Sequence, residues 1–149
     1  PMFLRRPDSH LGLANFMRSH LYASLATLKI GLDILLKEED VKIDSITGHG
    51  GLFKTKGVGQ SILAAAMNAP ISVMETAGEG GAWGMALLAA YMLSKKDGQS
   101  LGDYLDSRVF AERKSETMEP DLADVAGFET YTKQYQACLA AEKAAVQAF

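Results

Sequence analysis

The sequence predicts an α/β fold in which strands and helices alternate, and two observations point to it. A β-branched run leads into Gly50-Gly51, a helix-forming stretch follows, and Pro70 opens a second short apolar run before a glycine cluster and another helix. Such alternation implies parallel pairing, because the chain must cross over through a helix to run in the same direction again. The glycines fall where strands end and helices begin, the edge at which open α/β folds bind ligands. A nucleotide-binding lobe is the leading expectation.

The elements follow in order. Leu21, Leu25, Leu28, Leu32 and Leu35 recur at steps of four and three, one stripe of a helix over Asn15–Lys37. Lys37-Glu38-Glu39-Asp40 closes it in a polar turn. Ile43–Thr47 reads as a strand, Gly48–Gly51 as the turn and Gly57–Asn68 as the next helix. Pro70 stops that helix and starts the strand Ile71–Met74, a position where proline is tolerated. Gly78–Gly81 turns the chain into a tightly packed helix, Ala82–Ser94, around Trp83, Leu87, Leu88 and Tyr91. Ser100 caps a short helix over Leu101–Val109, Glu112–Asp124 is a polar loop, and Phe128–Val146 forms the last helix, with Phe128, Tyr131, Tyr135, Cys138 and Leu139 on one face. The order is helix–strand–helix–strand–helix plus C-terminal helices. Two strands make a poor sheet, so the chain reads as part of a larger domain.

At 149 residues a single domain is expected. An apolar share of 48% against 22% charged describes a globular chain, not a disordered one. The net charge of −3, with Lys54, Lys56, Lys95, Lys96 and Arg113 scattered, gives no support for nucleic-acid binding. Cys138 is the only cysteine, which excludes an intramolecular disulfide, and no ligand spacing suggests zinc. No apolar run is long enough for a bilayer and PMFLRRPDSH lacks a signal-peptide core, so neither a membrane nor a secretory route is expected and a cytoplasmic location is the default.

Gly50-Gly51 with Lys54, Thr55 and Lys56 is the strongest candidate site. Glycine lets backbone approach a flat or charged ligand, although a plain turn needing positive φ uses the same residues. His49 reads as a turn residue. His-Gly-Gly resembles an esterase oxyanion loop, but the chain holds no G-x-S-x-G elbow, and that reading fails. Gly78–Gly84 fits a loose G-x-G-x-x-x-G, which leaves a dinucleotide-binding half-domain as one alternative; close helix packing through Gly80, Gly84 and Ala89 explains it equally well. Glu79 is expected at a helix N-terminus, where a carboxylate is favoured. Another alternative is a non-catalytic interaction or packing fragment, with an apolar face exposed beside Ile43, Ile46 and Val73.

Taken together, Gly50-Gly51, Ala65-Ala66-Met67-Asn68, Pro70-Ile71-Ser72-Val73 and Glu79-Gly80-Gly81-Ala82-Trp83-Gly84-Met85-Ala86-Leu87-Leu88-Ala89 resemble the C-terminal lobe of the FGGY carbohydrate kinases, which include xylulokinase, ribulokinase and glycerol kinase. Arg18-Ser19-His20-Leu21 with Ala23 is similar to the family's opening helix, and the tail from Gly127 to Val146 is similar to those of pentulose kinases. Ala26 stands where many members have glutamate, Trp83 and Met85 replace smaller residues, and Thr55 stands where glycerol kinases have asparagine.

The resemblance implies part of an actin-like, ribonuclease-H-like ATPase lobe, with residues 1–149 a C-terminal fragment of the ATP-binding domain. It further implies ATP-dependent phosphorylation of a sugar hydroxyl, a pentulose such as xylulose or ribulose. ATP contacts are expected at Gly50, Gly51, Lys54, Thr55 and Lys56, with Glu79, Gly80 and Gly84 as structural neighbours. The sugar-binding lobe, the catalytic base and the phosphate loops that would hold most of the Mg²⁺ are absent, so no catalytic or metal-binding residue is expected here and the fragment alone should be inactive. A homodimer is an assembly such a kinase allows.

Overall fold

The computed structural model describes residues 2–111 and 115–148. It is mixed α/β, with α1 (Leu13–Lys37), β1 (Ile46–Gly48), α2 (Val58–Met67), β2 (Ile71–Met74), α3 (Gly80–Ser94), α4 (Leu101–Tyr104), β3 (Ser115–Met118) and α5 (Leu122–Gln147). The chain divides into two compact units. One holds the segment up to Asp44, Ser61–Ala69 and the segment from Glu119; the other holds Ser45–Gln60 and Pro70–Met118.

In the first unit, α1 packs on α5. Tyr22, Leu25 and Ala26 are the buried positions of α1, and Val125, Phe128 and Thr132 those of α5. The Tyr22 ring lies 4.8 Å from that of Phe128 and 5.2 Å from that of Tyr131. Tyr131 Oη donates to the Ser19 carbonyl at 3.4 Å. Burial raises the Tyr131 pKa, and Tyr135 and Cys138 add to the shift. Phe128 is fully buried, contributing about 1.5–3 kcal/mol.

The leucine stripe is therefore only partly the buried face. Leu25 is buried, but Leu28 and Leu35 are exposed; Tyr22 and Ala26 are buried instead, and the Tyr22 ring meets Phe128 and Tyr131 of α5. The α5 face likewise fades toward its C-terminus, with Cys138 and Leu139 exposed. α5 also begins six residues earlier than expected, where the Asp121 carboxylate accepts from the Ala123 and Asp124 amides at 2.8 and 3.1 Å.

The second unit carries a three-stranded sheet of order β1-β2-β3. β1 and β2 are parallel, with Ile46 opposite Ile71 and Gly48 opposite Val73. The parallel pairing and the bounds of β2 match the sequence expectation; β1 is shorter and displaced, ending on Gly48. β3 corrects the two-strand reading. It lies within the stretch expected to be a polar loop and pairs antiparallel with β2, Ser72 Oγ meeting Thr117 Oγ1 at 2.8 Å. Of that loop, Glu112 lies outside the described residues, as does Arg113.

α3 departs most from expectation. None of its residues is buried, and Met85, Leu88, Met92 and Leu93 are exposed. Its half-buried positions are Gly80, Trp83, Gly84, Leu87 and Tyr91. Trp83 lies 6.0 Å from Phe110 and Tyr91 5.3 Å from Tyr104 between ring centroids. α3 is apolar on every side, so its composition marks no single inward face. The Ser100 cap is as expected, its Oγ accepting from the Asp103 amide at 3.1 Å. After Tyr104 the helix widens into a π turn, Leu105–Val109.

Candidate functional site

The candidate site lies within the second unit, at the C-terminal ends of the two parallel strands. β1 ends on Gly48, where the Phe53 ring occupies the space a Cβ would need. At Gly50 the chain takes φ +106° and ψ −173°, a conformation essentially confined to glycine. The Gly50 N–H donates to the Ala77 carbonyl at 2.8 Å, and the Gly50 carbonyl accepts from the Phe53 N–H at 3.1 Å. The first bond joins the loop after β1 to the loop after β2. Gly51–Phe53 then form one 3₁₀ turn. Among the described residues, none beyond the immediate chain neighbours comes within 4 Å of the Cβ position at either Gly50 or Gly51, so the paired glycines present open backbone.

Beyond the turn, both lysines are held by acids. Lys54 Nζ meets Glu79 Oε1 at 2.7 Å and Lys56 Nζ meets Glu116 Oε2 at 2.9 Å. The hydrogen bond to Glu116 holds the Lys56 pKa above its ordinary value. Both pairs are solvent-exposed, so their effect is mainly on geometry, with little gain in stability. Thr55 lies exposed between them.

The expected site residues thus divide. Gly50, Gly51, Lys54, Thr55 and Lys56 form one loop, and Glu79 joins it through Lys54. Glu79 precedes α3 as expected, but its side chain caps nothing. A full positive charge at hydrogen-bond distance outweighs the partial charge of a helix end. Close packing holds at Gly80, where the His49 ring, from the loop after β1 and not from a helix, occupies the Cβ position. At Gly84 and Ala89 it does not: nothing approaches a Cβ at Gly84, and Ala89 is exposed. His49, Met74, Trp83, Leu87 and Phe110 help to line an apolar cleft of about 340 Å³.

Two features went unread in the sequence. A Cβ at Gly59 would strike the Leu52 carbonyl. Gln60 is buried, its Nε2 donating to the Ile71 and Glu116 carbonyls at 2.7 and 2.8 Å. Chemically, the loop offers open backbone, a hydroxyl at Thr55 and two lysines that are each paired with a carboxylate. Among the described residues no group of three or more His, Cys, Asp or Glu side chains could hold a metal ion. These residues therefore do not fit a Mg²⁺ site.

Comparison with known proteins identifies the family. The model of the FGGY family of carbohydrate kinases, C-terminal domain, matches residues 1–93. The chain belongs to that family, and membership implies an actin-like, ribonuclease-H-like ATPase fold. Full-length kinases of the family transfer phosphoryl groups to sugars, generally with ATP and Mg²⁺. The match includes the whole glycine loop; the tail that resembles pentulose kinases lies beyond it. No curated protein and no solved structure matched the chain.

Proposed function

We propose that this chain supplies part of the nucleotide-binding lobe of an ATP-dependent sugar kinase acting on a pentulose hydroxyl, residues 1–149 forming a C-terminal part of its ATP-binding domain. The adenosine of ATP lies against Gly50 and Gly51, and Lys54, Thr55 and Lys56 provide the polar contacts. The observation that carries this reading is the open backbone of the glycine pair at the end of a parallel strand, in a chain of the FGGY family. The choice of a pentulose rests on the tail from Gly127 to Val146. Phosphoryl transfer depends on positioning, metal and charge stabilisation, for which the described residues offer no metal cluster. On this reading the chain alone is inactive, and the complete kinase adds the sugar-binding lobe.

Gly51→Val tests the site. Position 51 is exposed and nothing crowds its Cβ, so a side chain there leaves the fold intact while blocking the adenosine plane. Expected in the complete kinase is a rise in the KM for ATP of roughly tenfold, equivalent to about 1.4 kcal/mol, with the sugar KM and the melting temperature unchanged. Equal losses for both substrates, or a fall in melting temperature that accounts for them, would make the turn purely structural.

A further inference from the structure

The primary amide of Gln60 has two N–H groups on one nitrogen, and the structure gives each a different strand. One bonds the Ile71 carbonyl of β2 at 2.7 Å and the other the Glu116 carbonyl of β3 at 2.8 Å. Gln60 is 5% exposed and lies next to Gly59, whose missing side chain admits the Leu52 carbonyl. The Glu116 carboxylate in turn holds Lys56 at 2.9 Å. One residue therefore joins the start of α2 to two strands, and through Glu116 it reaches the far end of the glycine loop. The near end is held by Gly50 on the Ala77 carbonyl.

We infer that Gln60 is a positioning residue for the loop over residues 50–57: its two-strand clamp fixes where Glu116 places Lys56 and where Gly59 receives Leu52, and so sets the backbone presented to ATP. The ligand named rests on the function proposed above; the clamp itself rests on geometry alone. Methionine matches glutamine in length but offers neither N–H, so Gln60→Met removes the clamp with little change in volume.

Hydrogen exchange read residue by residue tests the inference, with and without ATP. In Gln60→Met the amides over residues 52–56 should exchange on the order of tenfold faster, while those of α5 remain unchanged. In the complete kinase the same variant should raise the KM for ATP and leave the sugar KM alone, a split that general destabilisation does not produce. Glu116→Gln, which keeps the carbonyl acceptor, should leave exchange near Leu52 as it was. Faster exchange throughout the chain, or none in the loop, overturns the positioning role. Should Gln60→Met not fold, the side-chain amide protons of Gln60 in the unsubstituted chain decide: protection supports the clamp, and exchange at the rate of a free amide overturns it. Absence of ATP-dependent protection over residues 50–57 in the complete kinase overturns the nucleotide reading, whatever the variants show.

Discussion

At Gly50 the backbone sits at φ +106°, whereas Gly51 begins an ordinary 3₁₀ turn. Gly50→Ala should therefore cost about 1–3 kcal/mol of stability, the strain of an L-residue in that region. Gly51→Ala, in open space, should stay within about 0.5 kcal/mol. Urea unfolding of the two variants checks the contrast, and equal effects would refute it. The sequence marks both positions as a turn but assigns no φ to either, so which glycine the backbone requires is visible only in the structure. Gln60 was illegible for a different reason. A lone glutamine in a stretch of small residues matches no motif, and its carbonyl partners are 11 and 56 residues away.

At the scale of elements, legibility followed side-chain burial. β2 was readable because Pro70 precedes it and its first residue, Ile71, is fully buried. β3 was not, since Ser115, Glu116 and Thr117 are exposed and only Met118 is half-buried, leaving no apolar alternation. The start of α5 did leave a trace in Pro120-Asp121, a proline followed by a good N-cap residue. On α1, Asp33 stands between Lys29 at 2.6 Å and Lys37 at 3.0 Å. Burial alone would raise its pKa, but hydrogen bonds and charge from both lysines outweigh that and hold it below 3.8. A depressed carboxylate pKa contributes stability above the unfolded value, and that contribution is lost as pH falls through the folded value. Asp33→Asn should therefore be less stable by about 0.5–1 kcal/mol at neutral pH. The gap to the unsubstituted chain should close as the pH drops below 3.8. Denaturant unfolding across that range measures it; a gap that persists in acid would mean the lysines are not its source.

At the scale of the molecule, the family was legible because the motifs from Gly50 to Ala89 are ordered along the chain, and the matched span of residues 1–93 contains them all. Which faces are inward was not legible. Among the described residues no helix is long and apolar enough to cross a membrane, although α3 is apolar on all sides.

The bare surface of α3 has a chemical consequence. Met85 and Met92 are 69% and 76% exposed, whereas Met67 is 6% exposed. Thioethers open to solvent are the first to take up oxygen from dilute peroxide and become sulfoxides. Peptide mass spectrometry of the isolated chain should find Met85 and Met92 oxidised well before Met67, and rapid oxidation of Met67 would contradict the burial described. The same two sulfurs then act as reporters in the complete kinase. If the rest of that protein, or a second subunit, lies over α3, their oxidation should slow markedly; if it proceeds at the isolated chain's rate, α3 faces water there as well.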